Sequence, residues 1–250
     1  MRNSVFAFCL TLLACSSPLQ AADDPSEPIR LTLAWDLSLD AQGHVTSLAA
    51  LPNKRLADVP QIRERLEQQI RTWPFTPGAV AGRPAATDTR LVVSFSLRPN
   101  DQNSYRISFD DVRTGGHILR TVMPQYPISV LRSAAPTGMV VVRAAYDADG
   151  KVLSAVVETG SPPIAAGLVN ASISAVKKWR FQPERVDGHG IAGSQVMPIC
   201  YSVRPIESRA APSPPCKWDP PGTHASIGEG ESLAIDPAAR LNKDVVGHAL

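Results

Sequence analysis

Residues 70–84 read IRTWPFTPGAVAGRP, and residues 176–190 read VKKWRFQPERVDGHG. At an offset of 106, five of the fifteen positions are identical: Trp73 and Trp179, Phe75 and Phe181, Pro77 and Pro183, Val80 and Val186, Gly82 and Gly188. The first two positions change like for like, Ile70 to Val176 and Arg71 to Lys177. A phrase written twice points to an internal repeat, and its neighbours decide what is repeated.

Upstream of each phrase lies a strand pattern. In residues 31–39, Leu31, Leu33, Trp35, Leu37 and Leu39 alternate with Thr32, Ala34, Asp36 and Ser38. Period two with one apolar face predicts a half-buried strand. An offset of 107 brings the same parity onto Gly138, Val140, Val142, Ala144 and Tyr146. Each run ends in a turn, Asp40 to Gly43 and Asp147 to Gly150, with glycine where φ must be positive. A returning strand starts at Val45 and at Val152. Next comes a helix: Val59, Ile62, Leu66, Ile70 and Trp73 in the first copy, behind Asp58 as N-cap, and Leu168, Ser172, Ala175, Val176 and Trp179 in the second. Pro74 and Pro77, and Pro183, stop these helices. Lys177 and Lys178 sit where a helix C-terminus favours cations. Leu91, Val93, Phe95 and Leu97, and Met197, Ile199, Tyr201 and Val203, alternate as closing strands. Each unit of about 70 residues is therefore hairpin, helix, strand. Trp73, Phe75, Trp179 and Phe181 are expected as core anchors at the helix exits.

The totals suit one or two globular domains: 250 residues, 44% hydrophobic, 25 basic against 23 acidic side chains. Balanced charge without a basic run excludes a nucleic-acid footprint. The N-terminal run VFAFCLTLLA, residues 5–14, follows Arg2 and is too short for a bilayer, which takes roughly 20 residues. It reads as a secretory signal over residues 1–21. Two cleavages stay open. Leu12-Leu13-Ala14-Cys15 resembles a lipobox that would leave a lipid on Cys15, and Leu19-Gln20-Ala21 suits ordinary signal peptidase. No later stretch is apolar enough to cross a membrane. Export implies an oxidising compartment. Loss of Cys9 and Cys15 would leave Cys200 and Cys216, either bonded or as two thiols. Strand parity turns Cys200 away from the Tyr201 face, and the proline-rich arm could fold back to it.

The second copy carries further letters. Met123-Pro124-Gln125-Tyr126-Pro127 precedes it, followed by Gly138-Met-Val-Val-Val, Asp147-Ala-Asp-Gly150, Ala175-Val-Lys-Lys-Trp-Arg-Phe-Gln-Pro183, Gly188 and Val196-Met-Pro-Ile199. This stretch, residues 122–205, resembles the C-terminal domain of the TonB family. Residues 29–99 look like a degenerate copy that lacks the Pro-x-Tyr-Pro. The resemblance implies an α+β fold: two tandem units, each an antiparallel three-stranded sheet with helix on one face. It implies the periplasm of a Gram-negative bacterium; the lack of catalytic motifs argues separately against an enzyme. The resemblance also implies the capture of extended peptide segments, with TonB-dependent outer-membrane transporters and other envelope proteins as partners. The partner strand would add beside the last strand, placing contacts at Pro124, Gln125, Tyr126, Pro127, Gln195, Val196, Met197, Pro198, Ile199, Cys200 and Tyr201. Family members couple an inner-membrane motor to these transporters, and no anchor helix for such a motor is read here. The domain reading is a signal at 1–21, a degenerate repeat at 28–99, a connector at 100–121, the TonB-like domain at 122–206, and a proline-rich arm with a C-terminal extension at 207–250.

No catalytic, metal or cofactor signature appears. His44, His117, His189, His224 and His248 have no ligand spacing, and adjacent Asp110 and Asp111 would face opposite ways in a strand. Tyr105, Ile107 and Phe109 alternate, so a short extra strand fits the connector. Leu233 to Ile235 and Leu241 to Val246 are too apolar for a free tail and are expected to dock. Two functions remain: a peptide-capturing module, or an envelope scaffold or lipoprotein whose sheet edges pair internally or in a dimer.

Overall fold

The computed structural model of the chain describes residues 28–53, 60–99, 105–131, 137–202, 216–221 and 226–248. The signal at 1–21 with Cys15, the helix start at Asp58 and Val59, and residues 203–215 lie outside the described residues.

Two antiparallel sheets form the framework. The first runs in the order Val45–Ala50, Ile29–Leu39, Thr87–Pro99, and beyond Thr87–Pro99 it continues both as Tyr105–Gly115 and, at the other end of that strand, as Arg185–Val186 and His189–Gly190. Its period-two pattern explains its one-sided core. Trp35, Leu37 and Leu39 are buried, and so are Leu91, Val93 and Phe95, which lie opposite Trp35, Leu33 and Leu31. The helix Pro60–Ile70 adds Leu66 and Ile70 to that core, with Ile62 packed at its margin. Each such side chain contributes about 1.5–3 kcal/mol on burial. The second sheet runs Val152–Val157, Gly138–Tyr146, Gly193–Tyr201, Leu233–Ala234. Val140, Val142, Met197, Ile199 and Tyr201 face the helix Ala166–Val176, which contributes Leu168 and Val176. The chain is mostly β with helices against the sheets, and among the described residues no helix is long and apolar enough to cross a membrane.

Local geometry recurs at the offsets seen in the sequence. Gly43 (φ +84°) and Gly150 (φ +77°) close the two hairpins. A Cβ on either would lie 1.9 Å and 1.8 Å from the carbonyl oxygen of Phe75 and Phe181, respectively. Only glycine fits such a contact, so the turn and the aromatic of the repeated phrase are one packing unit. Ala81 and Gly82 (φ +49° and +76°) match Asp187 and Gly188 (φ +52° and +75°). Positive φ at both central residues defines the tight hairpin turn that fits twisted strands. Trp73, Phe75, Trp179 and Phe181 are all buried.

Three strands per sheet is corrected: the first sheet has six, because Tyr105–Gly115 and the short strands Arg185–Val186 and His189–Gly190 join it, and the second has four. The connector is not a tether: Tyr105–Gly115 pairs with Thr87–Pro99 along its length. It places Ile107 and Phe109 in the core, and Phe109 meets Trp73 edge to face at 5.2 Å. The run 87–98, which has a backbone N–H at every residue, would present a row of unpaired groups if left open, and the connector pairs most of it. Residues 117–120 continue as a strand against Arg180–Gln182 of the second unit.

The C-terminal extension binds both units. Its Trp218 and Ile227 cover Val141 and Val196 on the sheet face opposite the helix. Arg240–Leu241 pairs with Phe75–Thr76, and residues 247 and 248 exchange backbone bonds with Phe109. A direct ladder also joins the units, Arg185 opposite Asp88 and Val186 opposite Thr87.

Candidate functional site

The closing strand Gly193–Tyr201 pairs with Gly138–Tyr146 over its whole length. Met197, Ile199 and Tyr201 enter the helix-side core. Gln195 is fully buried, and its Nε2 donates to the Gly116 carbonyl at 2.7 Å. Val196 packs on the opposite face with Val141 and Trp218, Pro198 is buried, and Cys200 is joined by a disulfide to Cys216.

The segment 122–127 crosses the end of this strand and the helix. Tyr126 is half-buried and meets Tyr201 edge to face at 5.6 Å. The Tyr201 hydroxyl lies 2.7 Å from Ser172 Oγ and donates to the Leu168 carbonyl at 3.1 Å, which fixes its ring. Burial pushes the phenols of both Tyr126 and Tyr201 upward, so both stay neutral hydrogen-bonding groups. Trp179 Nε1 donates to the Val122 carbonyl at 2.9 Å, which pins the start of the segment to the helix exit. In the first unit the matching Trp73 Nε1 is buried without a hydrogen-bond partner among the described residues. The acceptor that Val122 supplies belongs to the Pro-x-Tyr-Pro lead-in, which the first unit lacks. Between segment and helix runs a groove of about 680 Å³, lined by Met123, Gln125, Tyr126, Ile128, Ala171 and Ser174. Met123 and Ile128 on its rim are 76% and 69% exposed, a large apolar surface to leave in water. Pro124 and Pro127 lie half-buried along this segment, and Gln125 is exposed.

The outer edge of the closing strand is partly taken. Gln195 and Val196 pair with Ala234 and Leu233, and the Ile235 N–H donates to the Ser194 carbonyl at 3.0 Å. Backbone groups alternate sides along a strand, so Ser194, Val196, Pro198 and Cys200 share the outward direction. Pro198 therefore removes a donor from the outer edge and none from the ladder to Val141, where an N–H would be needed. The added strand stops before it. The corresponding strand of the first unit, Asp88 to Leu97, has ladder partners on both sides.

Sequence pattern missed one polar centre. Glu184 is 5% exposed, accepts from Thr89 Oγ1 (2.7 Å), Ala238 N (2.7 Å) and Ala239 N (3.3 Å), and so ties first unit, second unit and extension together. The available signal was its repeat position: 106 residues earlier stands Gly78, so the two copies differ there in charge and size.

Sheet, helix and lead-in segment together define a small α+β module with an aromatic-lined groove at one end of a sheet strand. Residues 122–203 match the family described as Gram-negative bacterial TonB protein C-terminal, and that segment is a domain of this family. It is a non-enzymatic protein-interaction family whose domains engage outer-membrane proteins. No curated protein and no solved structure matches the chain significantly.

Proposed function

We propose that this chain is a periplasmic binding protein of the Gram-negative envelope. It captures extended segments of outer-membrane transporters or other envelope proteins by strand addition at the outer edge of Gly193–Tyr201. Residues 28–99 serve as a degenerate TonB-like repeat that supports the binding domain. The observation that carries this reading is the corner where Tyr126 packs on Tyr201. There the outward backbone groups of Pro198 and Cys200 have no ladder partner among the described residues. Strand addition draws affinity from such backbone groups and specificity from side-chain pockets beside them. The groove under Met123, Gln125 and Ile128 would supply the pocket. Lipid attachment at Cys15 and free residence in the periplasm are two localisations that the mass of the exported chain separates.

A scaffold role is the second reading. It is favoured by the complete pairing of Thr87–Pro99 and by Leu233–Ala234 lying on the closing strand. Affinity capture from envelope extract with the exported chain, followed by direct binding of N-terminal peptides from any captured transporter, separates the two. Saturable binding of such peptides supports capture. Recovery of the chain alone or as a self-assembly supports the scaffold.

A further inference from the structure

We propose that Leu233–Ile235 is a built-in stand-in for the partner strand: it gates the edge of the closing strand and displays the sequence type that edge accepts. This rests on the reading of that edge as the binding site. Three observations carry it. First, the segment forms the fourth strand of the second sheet, pairing Ala234 with Gln195 and Leu233 with Val196, with Ile235 N–H bonded to Ser194. An incoming strand would need these same groups. Second, Leu233 and Ile235 pack against the cluster of Val141, Val196, Trp218 and Ile227. Two apolar side chains separated by one residue share a face of a strand. Third, the intervening Ala234 is pressed on Gly115: a Cβ at Gly115 would lie 2.3 Å from the Ala234 Cβ. A larger residue at the middle position meets the backbone of the connector strand.

The edge therefore reads apolar, small, apolar. The ladder is only two residues long, and the side chains of Leu233, Ala234 and the following Ile235 are all half-buried. The flanking contacts are stronger: Glu184 to Ala238 and Ala239 on one side, the Trp218–Ile227 layer on the other. Displacement of the short strand would leave both anchors in place, so the extension opens without leaving the protein. While it is closed, the apparent affinity for any outside strand is reduced by the fraction of molecules that are open.

The test uses the full exported chain and a labelled peptide copy of residues 230–238, GESLAIDPA. Wild-type protein should bind this peptide at least about tenfold more weakly than the Leu233→Asp, Ile235→Asp double variant, whose own strand can no longer pack. Ile235→Pro, which deletes the donated N–H, is the second variant and should shift affinity the same way. A peptide with Trp for its central Ala should lose most of the binding. In wild-type protein, saturating peptide should speed amide exchange at Ile235 while the Gly193–Tyr201 amides bonded to Gly138–Tyr146 stay protected. Equal affinity of wild type and variants, no binding to folded variants, or peptide binding with unchanged Ile235 exchange would each overturn the inference. If GESLAIDPA binds the opened edge and transporter peptides do not, the partner assignment fails and the gating strand stands.

Discussion

Truncating Glu184 should loosen three segments at once. Its carboxylate accepts two bonds at 2.7 Å, from Thr89 Oγ1 and Ala238 N, and a longer one at 3.3 Å from Ala239 N. Hydrogen bonds to a charged group contribute about 1.5–3 kcal/mol each, and buried donors left unpaired cost about 1–3 kcal/mol. Thr89 is itself held by Gly115 N–H at 3.0 Å, so the disturbance reaches the connector strand. Desolvation of the carboxylate in the native protein offsets part of the sum. The net loss for Glu184→Ala is about 4 kcal/mol, and for a chain of this size that lowers Tm by about 8–16 °C. Thr89→Val removes one short bond and should cost about a third as much. Calorimetry on the full chain reads both. A Tm drop under about 3 °C for Glu184→Ala would refute the assignment of this carboxylate as the pin between units and extension.

Further outcomes follow from other positions. Gly150→Ala sets a Cβ 1.8 Å from the Phe181 carbonyl at φ +77° and should cost about 3 kcal/mol or more, whereas Gly160→Ala, at φ +81° with open space around it, should cost only about 1–2 kcal/mol. Equal Tm losses would contradict this. His117 is held at a pKa of about 4, below its ordinary 6.5, first by burial and then by the Arg90 guanidinium 2.9 Å from its Nε2. The unfolded chain takes up this proton first, so stability falls as pH drops from about 6.5 to about 4. Partial exposure limits the effect to roughly 1 kcal/mol, and His117→Gln should flatten that part of a melt-versus-pH curve. Cys200→Ser with Cys216→Ser opens a loop of sixteen residues and should lower stability by about 3 kcal/mol in denaturant titration.

Much of the fold was legible because the repeat fixes it locally. The Asp-x-x-Gly turns, the alternating strands and the Trp and Phe anchors depend on residues within one unit, and periodicity reports such contacts. The strands added beyond three per sheet were not legible in the same way. Tyr105–Gly115 alternates, yet nothing local says that it pairs the length of Thr87–Pro99. Leu233–Ala234 is two residues long, too short for any period, and its place depends on Val196 and Gly115 far away in the chain. Glu184 gave no periodic signal because its partners come from three distant segments. At the proposed binding corner, Tyr126 and Tyr201 were named from the family resemblance. Their edge-to-face packing, and the outward direction of Pro198, needed the backbone.

Titration of the isotope-labelled chain with an N-terminal peptide of an outer-membrane transporter addresses peptide capture most directly. The account predicts saturable amide shifts at residues 194–201 and 124–127, joined by Leu233–Ile235 as their strand leaves the edge, and weaker binding when Gln125→Ala and Tyr126→Ala are combined. Shifts confined to residues 88–97, or affinity unchanged in that double variant, would contradict it.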